Sequence, residues 1–164
     1  AVLDSFRHNA WATRQLLMFC EQLNDEQLRR PAIGTYGSIL ETLNHYIEAD
    51  AYYLSFLADE RLTWDWKLDG SASISQLETS AVAIAAAWER FLQLPFDPGV
   101  QVTRPSVSRG ERVERAGTLL AQAVHHPNVH REQVNMMLSS MSLQPPDLDV
   151  WVYDWVVIKG NPLP

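Results

Sequence analysis

Cysteine is nearly absent from this chain of 164 residues, which carries Cys20 alone. A single thiol excludes an internal disulfide framework and suits a reducing compartment, so a cytoplasmic location is expected. Cys20 lies among Leu16, Leu17 and Leu23, where a packed core thiol is expected rather than a nucleophile. No cluster of Lys or Arg occurs, and the formal net charge of −7 argues against nucleic acid as a partner. No apolar run approaches the roughly 20 residues of a membrane span, so no membrane association is expected. No signal-peptide pattern opens the sequence, although a leader already removed is compatible with it. Internal repeats, low-complexity tracts and linkers are also missing. With 46% hydrophobic residues, the chain reads as one domain over residues 1–164 with an adequate core.

Helical periodicity is what the sequence does contain. Four amphipathic segments are predicted, at about Leu3–Leu23, Ile39–Ala58, Ile74–Leu94 and Ala116–Met141. Asn24-Asp25 offers a stop to the first. Ser38 with Glu41 forms a capping-box pattern ahead of the second, and Pro95 ends the third. The second is apolar over most of its circumference, leaving a narrow solvated strip of Glu41, Asn44, Glu48, Ser55 and Asp59. Trp64, Trp66 and Gly70 fall in a connector. The segment from Asp97 to about Glu114, with Val100, Val102, Val107 and Val113 in loose alternation, fits either a short hairpin or an ordered loop. After Pro145-Pro146, the tail DLDVWVYDW is expected to pack back on the helices. The predicted class is all-α: a four-helix bundle with an irregular segment before its last helix and a packed C-terminal tail.

Of the five histidines, two stand at metal-ligand spacing within LLAQAVHHPNVHREQVNMML. A wheel at 100° per residue gathers Leu119, Leu120, Ala123, Val134, Met137, Leu138 and Met141 in one arc of about 100°. His126 and His130, four residues apart, fall in or beside that arc, whereas His125 falls on the solvated side. Two inward imidazoles need partners, because an unpaired buried polar ring costs roughly 1–3 kcal/mol. One metal ion supplies a partner to both, and hydrogen bonding inside the bundle is the plainer alternative. Pro127, between the two, removes the N–H that would reach the Ala123 carbonyl, so a kink beside His126 is expected. His45, the only histidine of the second helix, completes a three-histidine set if that helix faces the last.

The stretches HNAWATRQLL, SILETLNHYIEAD, HPNVHREQV and PPDLDVWVY together resemble the DinB-like (YfiT-like) family of metal-dependent enzymes, over nearly the whole chain. That family carries an asparagine and tryptophan early in helix one, a histidine in helix two and an H-x3-H-R element in the last helix. The resemblance implies a four-helix bundle, often a homodimer, in which His45, His126 and His130 bind a divalent metal. Zinc or nickel is the expected ion, with iron compatible. It also implies a small-molecule substrate and, in characterised relatives, a low-molecular-weight thiol (bacillithiol, mycothiol or glutathione) used in S-transfer or isomerisation; a hydrolase is a further option. Two departures from the commonest pattern, Pro127 and Glu132, bear on pocket shape and not on the ligands. The alternative is a non-catalytic stress-response or binding bundle with a structural or vestigial site. A di-iron carboxylate bundle is disfavoured, because no Glu-x-x-His occurs.

Several other residues carry expectations. Asn9 and Asp50, on buried faces, are candidates to orient the ligands or simply to tie helices together. His8 is expected at the surface or an edge, and Arg131, turned away from the ligands, in a surface, capping or dimer-interface role rather than on an anionic thiol. Trp11, Tyr52, Tyr53, Phe56, Trp88 and Trp151 are mostly expected in the core. Tyr52 and Phe56, which share the His45 stripe, are the best pocket candidates among them.

Overall fold

A computed structural model describes residues 1–58, 70–106 and 110–163. Four long helices form the body: α1 (Val2–Cys20), α3 (Ile39–Leu57), α4 (Ile74–Leu92) and α5 (Ala116–Ser140). Between the first two lies a short helix, α2 (Asp25–Arg29), that the periodicity did not foretell. Asn24, expected to stop α1, instead opens α2: its side chain accepts from the Gln27 N–H while Gln27 reaches back to the Asn24 N–H. The same reciprocal box starts α3 at Ser38 with Glu41, as expected, and α4 at Ser73 with Gln76. α4 stops two residues short of its expected end because Leu94 precedes Pro95, a position that disfavours helical backbone.

α1 packs chiefly on α4, and α3 chiefly on α5, so the bundle is an all-α layer of two helix pairs. Leu16, Leu17, Ile39, Leu43, Leu54, Leu77, Ile84, Val134 and Leu138 are sealed in its core. Each contributes about 1.5–3 kcal/mol of burial, which is what holds the polar centre described below in place. Cys20 is fully buried among them, and burial pushes its thiol up to about 12, as befits a core thiol rather than a nucleophile.

The segment before α5 resolves as an antiparallel hairpin, β1 (Gln101–Ser106) and β2 (Gly110–Arg115), running in register from Gln101 opposite Arg115 to Ser106 opposite Gly110. Its valines do not make an apolar face, since Val100 and Val113 are exposed. An Arg104–Glu114 ion pair at 2.9 Å crosses the ribbon, and the Tyr52 hydroxyl donates to the Pro105 carbonyl from α3. The tail forms α6 (Val150–Tyr153), capped by Asp149, and continues into a π-helical turn (Asp154–Ile158). Leu148 and Tyr153 bury themselves on the bundle, while Trp151 is 80% exposed and is not core.

Two polar positions differ from expectation. Asn44 is 2% exposed rather than solvated, because the chain returning into α4 covers it: the side chain accepts from the Ala72 N–H and donates to the Ala72 carbonyl. His8 is buried rather than at the surface, its Nε2 lying 2.8 Å from the Leu148 carbonyl oxygen where the tail crosses α1. Asp59, Trp64, Trp66 and Val107 lie outside the described residues.

Candidate metal centre

Because α3 lies along α5, His45 faces His126 and His130, and one ligand nitrogen from each ring falls within 4.8 Å of the others. The Nε2 atoms of His126 and His130 stand 3.2 Å apart. Two imidazole nitrogens on one tetrahedral ion, each at ~2.1 Å, stand about 3.4 Å apart, so this separation suits a shared ion. The His130 Nδ1 lies 2.8 Å from Gln133 Oε1, one turn further along α5. That carbonyl oxygen can only accept, which puts the proton on Nδ1 and leaves Nε2 a bare lone pair.

The His126 ring has no such arrangement. Its Nδ1 is buried without a hydrogen-bond partner. If Nε2 donates to His130, Nδ1 is an orphaned acceptor, and if Nδ1 carries the proton, two lone pairs oppose each other at 3.2 Å. A cation between the Nε2 atoms removes the second conflict, so the donor set fits a metal. Burial, then the imidazoles of His130, His45 and His125, push His126 down to about 4, and burial followed by His130 lowers His45. These two rings therefore favour the neutral form that ligation requires. His125 is exposed, as the wheel predicts.

Aromatic rings wall the cluster, though Tyr52 and Phe56, the best candidates from the sequence, are not among them. Tyr36 stacks face to face on His45, with centroids 3.7 Å apart and planes 10° from parallel, and meets His130 edge-on. It is 55% exposed and covers the outer flank of the centre. Gly37 beside it has φ of +157°, and a Cβ there would stand 2.7 Å from the Glu41 carboxylate that closes the α3 cap. The turn that presents Tyr36 thus depends on the start of α3. Tyr53 touches His126 edge-on at 5.7 Å, whereas Tyr52 and Phe56 pack on each other near the hairpin. Trp88 is buried on Phe6, and Trp11 lies against Tyr153. No fourth His, Cys, Asp or Glu joins the three histidines among the described residues.

Arg131 overturns its expected surface role, being 2% exposed. The wheel turned it away from the ligands correctly, but α1 waits on that side. Its guanidinium donates to Thr13 Oγ1 at 3.2 Å, to Asn9 Oδ1 at 2.7 Å and to Asn128 Oδ1. Sealed in this way, it has no access to an anionic thiol. The Asn9 amide nitrogen lies 3.5 Å from the Ala123 carbonyl oxygen and 3.4 Å from that of Val124. Asp50 is turned from the histidines towards α4, where Trp88 Nε1 donates to it at 2.8 Å. The surface it retains lines a cavity of about 20 Å³ bounded also by Asn9, Thr13, Tyr46 and Pro127. Burial pushes its carboxyl up to about 7, against the opposing pull of Trp88 and Arg131.

A model of the DinB family matches residues 1–160, and the chain belongs to that family. No curated protein matches the sequence.

Proposed function

We propose that this DinB-family chain holds one divalent ion on His45, His126 and His130 and acts as a metal-dependent enzyme on a small molecule. A thiol-dependent S-transferase or isomerase is the reaction class we favour, with a hydrolase as the nearest variant. The observation that carries the reading is the convergence of three imidazoles with no fourth protein ligand among the described residues. Three neutral ligands leave an ion its charge and an exchangeable position, the pattern of catalytic rather than closed structural sites.

Such an ion lowers the pKa of bound water towards ~7 or holds a thiol as thiolate. The protein's own part is positioning. Gln133 fixes the tautomer of His130 and Tyr36 fixes the plane of His45. Tyr36 and Tyr53 present apolar ring surface beside the three histidines, where a substrate would lose water. Zinc or nickel suits three imidazoles best, and iron is compatible. A homodimer in the cytoplasm, built on one domain over residues 1–164, completes the reading and rests on the resemblance and on the single cysteine.

The test is elemental analysis of untagged protein beside His126→Ala after mild dialysis. About one equivalent of metal in the wild type, lost in the variant, supports the centre and justifies a screen of small thiols against electrophiles. A wild type that neither carries metal nor rebinds zinc or nickel sinks the reading and leaves a binding bundle in its place.

A further inference from the structure

We propose that Asn9, on a different helix from every ligand, is a positioning residue of the metal centre, because its side-chain amide stands in for the N–H that Pro127 lacks. The inference rests on the metal reading above.

In an uninterrupted helix the Ala123 carbonyl accepts from the N–H of residue 127, and here that N–H does not exist. Nonetheless α5 runs unbroken from Ala116 to Ser140, and Ala123 is fully buried, so water does not serve its carbonyl. The Asn9 Nδ2 approaches that oxygen at 3.5 Å and the neighbouring Val124 oxygen at 3.4 Å. The other end of the same amide accepts from Arg131, the residue after His130. One buried side chain therefore grips α5 on both sides of the proline, just before His126 and just after His130. Both grips fix the amide's orientation, since Oδ1 can only accept from the guanidinium and Nδ2 can only donate to the carbonyls. Distortion of the turn between these two grips changes the 3.2 Å spacing between the two ligand nitrogens. A single asparagine supplies what neither an aspartate, which lacks the donor, nor a serine, which lacks the reach, supplies.

The substitution of Pro127 gives a direct test, because Pro127→Ala restores the missing N–H. Cobalt affinity and the visible spectrum of the cobalt-loaded protein are to be measured for wild type, Asn9→Asp, Pro127→Ala and the double variant. Asn9→Asp keeps the acceptor for Arg131 and loses the donor. The expectation is a loss of cobalt affinity of about tenfold or more, the range seen when groups that orient ligands are removed, with an altered spectrum. In the Pro127→Ala background the same change is expected to cost less than threefold and to leave the spectrum as it is in Pro127→Ala. Equal losses in both backgrounds overturn the proposal, because the donor is then not interchangeable with the backbone N–H. Unfolding midpoints of the four metal-free proteins carry the same cycle without any ion. If wild type binds no cobalt, the metal reading and the positioning role fail together, while non-additive midpoints still establish the carbonyl cap. Additive midpoints remove the cap as well.

Discussion

Two polar clusters share one turn of α5 and differ in how fully they are satisfied. On one side Arg131, a permanently charged group, is buried with acceptors from Asn9, Thr13 and Asn128 already in place. On the other side three imidazoles converge, and with both rings protonated at Nδ1 the facing Nε2 lone pairs of His126 and His130, 3.2 Å apart, have no donor between them. A buried network closed upon itself specifies how helices dock, whereas one left incomplete at its centre is shaped for something that arrives later. The difference teaches that proximity of polar groups is not the mark of a functional site. The mark here is a set of lone pairs that converge on one point and that the protein leaves unshared.

Single substitutions on the two sides should therefore separate metal binding from folding. His130→Ala is expected to have the largest effect on binding, taking about one equivalent of metal to almost none, as read by elemental analysis. Its effect on the metal-free fold should be smaller than that of Arg131→Ala. Removing Arg131 strands its neutral acceptors inside the bundle and should cost about 1–3 kcal/mol for each one left unsatisfied, in denaturant unfolding of the metal-free protein. If His130→Ala proves the more destabilising of the two in metal-free protein, the comparison is wrong.

A third expectation sharpens the satisfied side. Asn44→Ala should cost about 1–3 kcal/mol, because it orphans the Ala72 backbone groups while leaving metal content unchanged.

Asp50 supplies a pH signature. Its carboxyl is raised in the folded protein to about 7 from an ordinary 3.8, so between those values the folded state holds a proton that the unfolded state has lost. The stability it contributes is present below about pH 4 and is lost as pH rises through about 7. The unfolding midpoint of wild type should fall relative to that of Asp50→Asn between pH 5 and pH 8, and a gap that stays constant or moves the other way sinks the assignment. The smallest effect belongs to the α3 cap, where Ser38→Ala should cost about 1 kcal/mol and disturb the turn that carries Tyr36.

Legibility from sequence followed the range of the forces involved. The Ser38–Glu41 box and the inward facing of His126 and His130 were readable, because both are set within one or two turns of helix. His45 needed only the further step that α3 faces α5. Arg131 was misplaced because a wheel gives direction and not depth. Its burial depends on Asn9 and Thr13, which lie 118 or more residues away in the chain. Asn44 and His8 fail for the same reason, each being covered by a distant segment that returns over it. Tyr36 sits in an irregular turn with no periodicity to aim it. Gln133 was within reach, since a polar residue three places after a helical histidine shares its face.

The proline in α5 also has a consequence for the order of events during synthesis. The amide that spans its gap belongs to a residue made 114 positions before the carbonyl it meets. A ribosome releases α1 long before α5 exists, and closing so long a loop is slow compared with coiling either helix. The spacing of His126 and His130 is therefore among the last features to settle, and an ion presented to the nascent chain finds no finished seat until the last long helix has docked on the first.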